Sequence, residues 1–346
     1  MKVSIIITSY NYERYLAATI DSALSQTWKD LEVIVLDDGS TDSSPEIMRR
    51  YEGRAKLIFQ ENGGHAAAFN VAYMHATGDA ILFLDSDDVL EPHAIERMMA
   101  VWKPGMSKIH FPLDIIDETG KKSGGRVPRA ALPEGDLLPQ MLATGMYVSP
   151  PNSGNLFSRA FLDAVLPMPA EEWNYGPDCY LVFLAPFFGE VGAVQEPLGL
   201  YRRHAASITN ITEADSAQLI RKLSSMLEAD RRLRALLEEA SHKRGLELSP
   251  EAVVSHWLHL KVRLSLHKID TRETALPEGG PFRIAARLIR AVWRSDELSV
   301  RSRMEFTAWT MLVATLPPRS AAPLIRLAFA PGDRGRVLRQ MVKRWA

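Results

Sequence analysis

Asp85-Ser86-Asp87-Asp88 follows directly on the apolar run at residues 80–84, so three carboxylates stand at the mouth of a segment that reads as a buried strand. Carboxylates gathered in this way suit a hard divalent cation. Mg²⁺ and Mn²⁺ prefer oxygen ligands, and sites of this kind use one or two protein carboxylates and leave the other positions to phosphate and water. An Asp-x-Asp tripeptide also serves loops and helix caps, and Asp88 has the alternative of capping a helix that begins near Pro92. Its company gives the tripeptide weight. Thr8-Ser9-Tyr10 ends the apolar run at 3–8, and Asp37-Asp38-Gly39-Ser40 ends the run at 31–36. Asn62-Gly63-Gly64 makes a loop whose backbone can come close to a ligand, because glycine removes the side chain and tolerates positive φ.

The elements that must position these groups are legible from periodicity. Short β-branched runs at 3–8, 31–36, 56–59 and 80–84 alternate with helical patterns, the signature of a parallel sheet with crossover helices. Leu16, Ile20, Ala23 and Leu24 recur at helical spacing, Ser43-Ser44-Pro45-Glu46 reads as a capping box, and Val71 with Met74 marks the inner face of a third helix. In such sheets ligands bind beyond the carboxyl ends of the strands, where the three polar clusters fall. From Trp102 to about Pro169 the glycines and prolines suggest loops over the site rather than a second core. Residues 178–184 read as a helix and 191–194 as a short strand. After Asn210 the pattern is helical almost throughout.

The 346 residues allow about two domains, and a composition of 46% hydrophobic and 24% charged residues is that of a folded protein. The one cysteine, Cys179, rules out an intramolecular disulfide and fits a reducing compartment. The N-terminal apolar run is too short for a signal peptide and reads as a first strand. No stretch approaches the roughly 20 apolar residues that span a bilayer. A cytoplasmic protein is therefore expected. The net charge of −1 hides an asymmetry: from Arg283 onward there are 13 Lys and Arg against 4 Asp and Glu.

Five segments in order make the chain resemble inverting glycosyltransferases of family 2, with the GT-A fold. They are residues 3–11, residues 36–42, Asn62-Gly63-Gly64, residues 84–88, and Tyr201-Arg202-Arg203-His204. The resemblance implies an α/β GT-A domain over 1–208, Rossmann-like with a mainly parallel sheet and flanking helices. A mostly helical C-terminal region would follow over 209–346, basic from about 283. It also implies that Thr8, Tyr10 and Asp38 hold the nucleoside. Physically, a carboxylate can accept the imide N–H of a uracil while an aromatic ring offers the base a face. The glycine loop at Gly64 would lie beside the sugar nucleotide, with His65 next to it. By the same resemblance Asp85 and Asp87 are the donor and metal carboxylates, Asp87 the direct ligand, with His204 on the metal or the diphosphate. Arg202 or Arg203 can pair with a phosphate through the guanidinium fork.

Inversion requires a base for the acceptor hydroxyl. The family carries it as the Asp of a Glu-Asp pair opening a helix; here Asp178 takes that position and Pro177 replaces the Glu. Residues 150–155 resemble the segment beneath the acceptor, with Trp173 or Tyr175 available to stack on a sugar ring. The expected ligands are Mn²⁺ or Mg²⁺, a nucleotide-diphosphate sugar (a UDP-sugar favoured), and a glycan or lipid-linked acceptor. Rival readings are a catalytically silent glycan-binding or scaffolding protein, to which Pro177 lends support, and a nucleotidyltransferase. The last would open with a glycine-rich phosphate loop near the first strand, which residues 8–11 lack.

Arg283, Arg287, Arg290 and Arg294 share one helical face and Ile284, Leu288 and Val292 another. Such a helix either lies on an anionic membrane or packs its apolar side on protein. Residues 306–313 read equally as a core helix, a monotopic segment or a dimer interface, so a homo-oligomer stays open. Nucleic acid is not an expected partner, since no recognition module accompanies the charge.

Overall fold

The computed structural model describes residues 1–174, 176–204, 216–270, 280–295 and 298–329. Two compact units divide the chain. The first comprises residues 1–142, 147–203 and 236–247, and the second residues 143–146, 204–235 and 248–346.

The first unit is built on β1 (Val3–Ser9), whose seven residues are all buried. A β-branched run with no polar face is what a strand covered on both sides of a parallel sheet requires. It alternates with α1 (Leu16–Leu24), β2 (Leu31–Asp37), α2 (Ser44–Arg49), β3 (Lys56–Phe59), α3 (His65–Met74) and β4 (Ala80–Asp85). Further along come β5 (Val89–Leu90), α4 (Ala94–Val101), β6 (Met106–His110), β7 (Leu113–Ile116), β8 (Lys122–Val127) and α5 (Leu138–Thr144). The unit's remaining elements are β9 (Asn155–Ser158), α6 (Arg159–Val165), α7 (Ala170–Trp173), α8 (Pro177–Leu184), β10 (Glu190–Ala193) and β11 (Gly199–Arg202).

Seven strands form one sheet in the order β10-β6-β9-β4-β1-β2-β3, and β5-β11-β7-β8 form a second. All neighbours in the first sheet run parallel except β9, which is antiparallel to both β4 and β6. The stretch expected to be loops over the site thus holds β6 to β9 and the helices α5 and α6. Its strands are short and β8 carries Gly124-Gly125 in its middle, so composition pointed to turns where an exposed strand pairs with β7. From this stretch Ile109, Phe111, Leu113 and Leu156 join the cluster that contains Val3, Ile5 and Leu82. The capping box is also corrected. Ser43 makes no side-chain cap to α2; Asp42 Oδ1 accepts the Ser44 amide at 2.9 Å and Glu13 Oε2 accepts the Ser43 amide at 2.9 Å.

The second unit is helical: α9 (Ser216–His242, whose last turns belong to the first unit), α10 (Trp257–Ile269), α11 (Gly280–Arg294), α12 (Val300–Thr315) and α13 (Pro318–Phe329). Leu219, Leu223, Leu260, Leu264, Leu288, Val292 and Val313 share its core. In α11 the predicted division of faces holds, with Ile284, Leu288 and Val292 buried and Arg283, Arg290 and Arg294 exposed. Arg287 lies against Glu251 at 2.8 Å. Helix α12 turns Val313 and Ala314 into the core and leaves Met304, Met311 and Leu312 exposed. Among the described residues no helix is long and apolar enough to cross a membrane.

Candidate active site

Register brings the strand-end residues together. β1 lies between β2 and β4, with Thr8 opposite Asp85 on one side and Ser9 opposite Asp37 on the other. The chain steps outward from β1 to β3 and then returns to β4 across β1, which opens a crevice at the carboxyl ends of β1 and β4. Thr8 is buried in that edge, while Tyr10, just beyond it, is 47% exposed and presents an aromatic ring.

Asp38 follows β2 and is buried. Its carboxylate accepts the amides of Gly63 and Gly64, each at 2.9 Å, and Gln60 Nε2 at 2.7 Å. Asp38 therefore fastens the glycine loop beside the strand ends. Gly64 has φ +88, a backbone conformation that favours glycine, and a Cβ there would displace the end of the Asn174 side chain, 2.5 Å away at Oδ1. Asn174 Oδ1 also accepts the Ala66 amide at 3.3 Å, in the first turn of α3. The segment just before Asp178 thus rests on the glycine loop, a contact across 108 residues of chain that no local pattern signals. His65 packs edge-on to Phe69 with ring centroids 4.6 Å apart, and burial pulls its imidazole down to about 4 against the opposing charge of Asp38.

The acidic run divides by role. Asp88 is fully buried, accepting the Arg202 amide at 2.9 Å and Ser153 Oγ at 2.6 Å. It clamps the end of β4 to β11 and to the turn at residues 152–154, and α4 instead has His93 at its N-cap. The alternative of Asp88 as that helix's cap is therefore wrong: non-local hydrogen bonds claim the carboxylate first. Asp85 Oδ1 accepts Asn152 Nδ2 at 2.8 Å, and the Asp85 amide donates to Ser153 Oγ at 3.1 Å. Residues that resemblance placed beneath the acceptor are thus packed against the acidic run itself. Arg202 donates from Nε to the Asp87 carbonyl at 2.8 Å and lies over the Tyr15 ring at 4.8 Å. It shapes the loop carrying Asp87 rather than reaching out as a phosphate fork, and Arg203 is the exposed member of the pair.

Charge accumulates here. Burial, then the charge of Asp87, pushes the Asp85 carboxyl up to about 7. The same two causes, joined by Asp85, push Asp88 well above the carboxylate range. Burial and these three acids also push the Tyr12 phenol up. Such mutual repulsion is what a divalent cation relieves. Among the described residues no three His, Cys, Asp or Glu side chains enclose a point as a complete metal cage. A donor set of one or two carboxylates plus diphosphate oxygens needs no such cage.

Helix α8 opens after Gly176, which is left-handed at φ +85, and Asp178 sits in its first turn. Burial raises the Asp178 carboxyl, while hydrogen bonds from the backbone at Cys179 and Asp178 and the charge of Lys108 act downward. Asp178 in turn acts on Asp85, raising it, so the two carboxylates share one electrostatic environment. Trp173 is buried edge-on against Tyr180, with centroids 5.3 Å apart, and so is a core residue rather than a sugar platform. Tyr175 lies outside the described residues. His204 is buried and is the first residue of its stretch of the second unit. Sequence reasoning passed over Asn174, Tyr12 and Lys108. For Lys108 there was one usable signal: a lysine inside the alternation Ser107-Lys108-Ile109-His110 falls on one face with His110.

The model of a family described as glycosyl transferase family 2 matches residues 4–124. The uncharacterized glycosyltransferase alr2836 of Nostoc sp. is 37% identical over 229 residues, which are 62% of this chain and 71% of that protein. Chondroitin synthase of Pasteurella multocida is 46% identical over 97 residues, 27% of this chain and 10% of that much longer protein. Among solved structures, residues 1–349 of Staphylococcus aureus TarS in complex with UDP-GlcNAc align with a TM-score of 0.55 at 17% identity. That alignment covers 95% of this chain and 91% of the other, a likeness of fold.

Proposed function

From the premise that the chain belongs to glycosyl transferase family 2, we propose that it moves a sugar from a nucleotide diphosphate, UDP favoured, onto a glycan or lipid-linked acceptor with inversion at the anomeric carbon. One observation carries this reading: the acidic end of β4 at Asp85 stands beside Thr8 and the glycine loop that Asp38 fastens, and a separate carboxylate, Asp178, opens a helix whose preceding segment rests on that same loop through Asn174. Direct displacement needs those two stations, one for the leaving group and one for the nucleophile. Thr8, Tyr10 and Asp38 would hold the nucleoside, Gly64 and Asp85 the donor, and Asp87 a Mn²⁺ or Mg²⁺ ion. When bound, the cation supplies positive charge against the departing diphosphate. Asp178 takes the proton from the acceptor hydroxyl, and the fixed backbone at Gly63 and Gly64 brings the donor close. The polysaccharide synthase among the relatives supports the glycan acceptor.

A panel of sugar nucleotides screened for thermal stabilisation with Mn²⁺ tests the donor. A ligand binding only the native state at 100 times its dissociation constant stabilises by about 2.7 kcal/mol. The matching donor should therefore raise Tm by several degrees and be hydrolysed slowly. No stabilisation by any member, and no hydrolysis, would favour the silent glycan-binding alternative.

An acceptor held at an anionic membrane is supported by the surface of the second unit. Beside Arg283, Arg290 and Arg294, α11 exposes Phe282 and Trp293, and α12 exposes Met304 and Met311. Basic and bulky apolar side chains together are what an interfacial helix presents to lipid. Attraction near such a surface is worth about 1 kcal/mol per Arg. Replacing Arg283, Arg290 and Arg294 with Gln should weaken binding to phosphatidylglycerol vesicles by about two orders of magnitude. Arg287 is omitted because it pairs with Glu251. Failure of the wild type to sediment with those vesicles at low salt would remove the membrane from this reading.

A further inference from the structure

Helix α3 begins without a cap of its own. Its N-cap, Gly64, holds φ +88 and ψ 168, a region of backbone that is essentially glycine's alone, and glycine brings no side-chain oxygen for the amides of the first turn. The oxygen comes from far along the chain. Asn174 Oδ1 accepts the Ala66 amide at 3.3 Å, the bond that an N-cap side chain normally makes to the second helical residue. Oδ1, Cγ and Nδ2 of Asn174 all stand within 2.6 Å of the point where a Gly64 Cβ would lie, so the carboxamide covers the open side of that glycine. Asn174 is the last of three ties along α3. Tyr73 donates from its hydroxyl to Asp163 Oδ1 at 2.6 Å, and Asn70 exchanges two hydrogen bonds with the Met168 backbone, at 2.8 and 3.0 Å. Residues 66, 70 and 73 recur at spacings of four and three and so share one helical face. The stretch from α6 to Asn174 therefore runs back along α3 to the glycine loop, and Asp178 follows four residues later in the first turn of α8.

We propose that Asn174 is a positioning residue: it caps α3 from a distant part of the chain and by that bond sets where α8 opens, so that the base stands at a fixed place relative to the glycine loop. This rests on the reading of Asp178 as base. The loop has its own fastening, the two amide bonds from Gly63 and Gly64 to the Asp38 carboxylate, and keeps its shape without Asn174. The body of α8 is likewise held elsewhere, by Tyr180, whose hydroxyl donates to the Val165 carbonyl at 2.9 Å and whose ring meets Trp173. What Asn174 governs is the short connection between the two. Pro177, at the start of α8, has a fixed φ and stiffens the residue immediately before Asp178.

The test compares Asn174→Ala, Asn174→Asp and Tyr73→Phe. It reads the hydrolysis rate of the sugar nucleotide that stabilises the protein most, at saturation, and the affinity for UDP with Mn²⁺ by calorimetry. Misplacing a reacting group by about 1 Å can cost roughly 10²-fold. Asn174→Ala should therefore lower the saturated rate by about 10- to 100-fold and leave UDP affinity within a few-fold, because Asp38 still holds the loop. Asn174→Asp keeps an oxygen for the Ala66 amide, in a charge state that a helix N-terminus favours, and should restore the rate to within a few-fold. Tyr73→Phe removes the tie farthest from the glycine loop; it should lower Tm by a few degrees, as Asn174→Ala does, and leave the rate within a few-fold. Equal rate losses in Tyr73→Phe and Asn174→Ala, no rescue by Asn174→Asp, or a wild-type rate in Asn174→Ala would overturn the inference. Should Asn174→Ala fold poorly, Asn174→Gln carries the test, since it keeps the amide group, shifts its oxygen by one methylene and should show the same loss. Asp178→Asn separates the two layers: hydrolysis surviving that change overturns the base and this inference together, whereas its loss there with a wild-type rate in Asn174→Ala overturns this inference alone.

Discussion

Asp178→Asn is expected to lower turnover by about 10² to 10⁴ while donor affinity changes by less than a few-fold. The amide keeps the shape of the side chain and an oxygen that can accept from the backbone at Cys179, so α8 should open as it does now. What it loses is the ability to take a proton. The separation of effects follows from place: Asp178 is on α8, whereas the groups that would hold the nucleoside lie at the ends of β1 and β2. Removing a charge that acts on Asp85 should, if anything, make donor binding slightly easier. Steady-state kinetics with a competent acceptor, and calorimetry with the donor alone, separate the two quantities. Turnover within a few-fold of wild type would move the base elsewhere.

What the sequence made legible is what is local. β1 to β4 are short, mainly apolar runs followed by polar residues, and each observed strand agrees with its reading to within one residue. Because strand order follows from short right-handed crossovers, the gathering of Thr8, Asp38 and Asp85 at one edge was readable too. Illegible were the contacts that decide which acid does what. Asp85, Asp87 and Asp88 look alike in a string of letters, and only the Arg202 amide, 114 residues on, and Ser153, 65 residues on, claim Asp88 for structure. Trp173 fails as a platform for a similar reason, since its burial is set by Tyr180 and not by its neighbours in sequence. The second sheet was missed because its strands are two to six residues long, too short for alternation to outweigh their glycines.

Asp87→Ala is expected to abolish the part of donor affinity that depends on Mn²⁺, a loss of about 100-fold or more, and to leave Tm within a few degrees of wild type. Both halves rest on how the acidic run is built. Asp87 reaches the surface, and the contact that shapes its loop, Arg202 Nε on the Asp87 carbonyl, is made by backbone that alanine retains. Asp88→Ala is the contrasting case. It would strand the Arg202 amide and Ser153 Oγ in a buried clamp, at a cost of about 1 to 3 kcal/mol for each unsatisfied group, and so should lower Tm clearly. Chelation of wild-type protein should reproduce the affinity loss of Asp87→Ala, and chelation of the variant should add nothing. Equal donor affinity in wild type and Asp87→Ala, with and without chelator, would remove Asp87 from the cation site. The acidic run would then act by orienting the donor through Asp85, with the charge on the leaving diphosphate met by arginine instead.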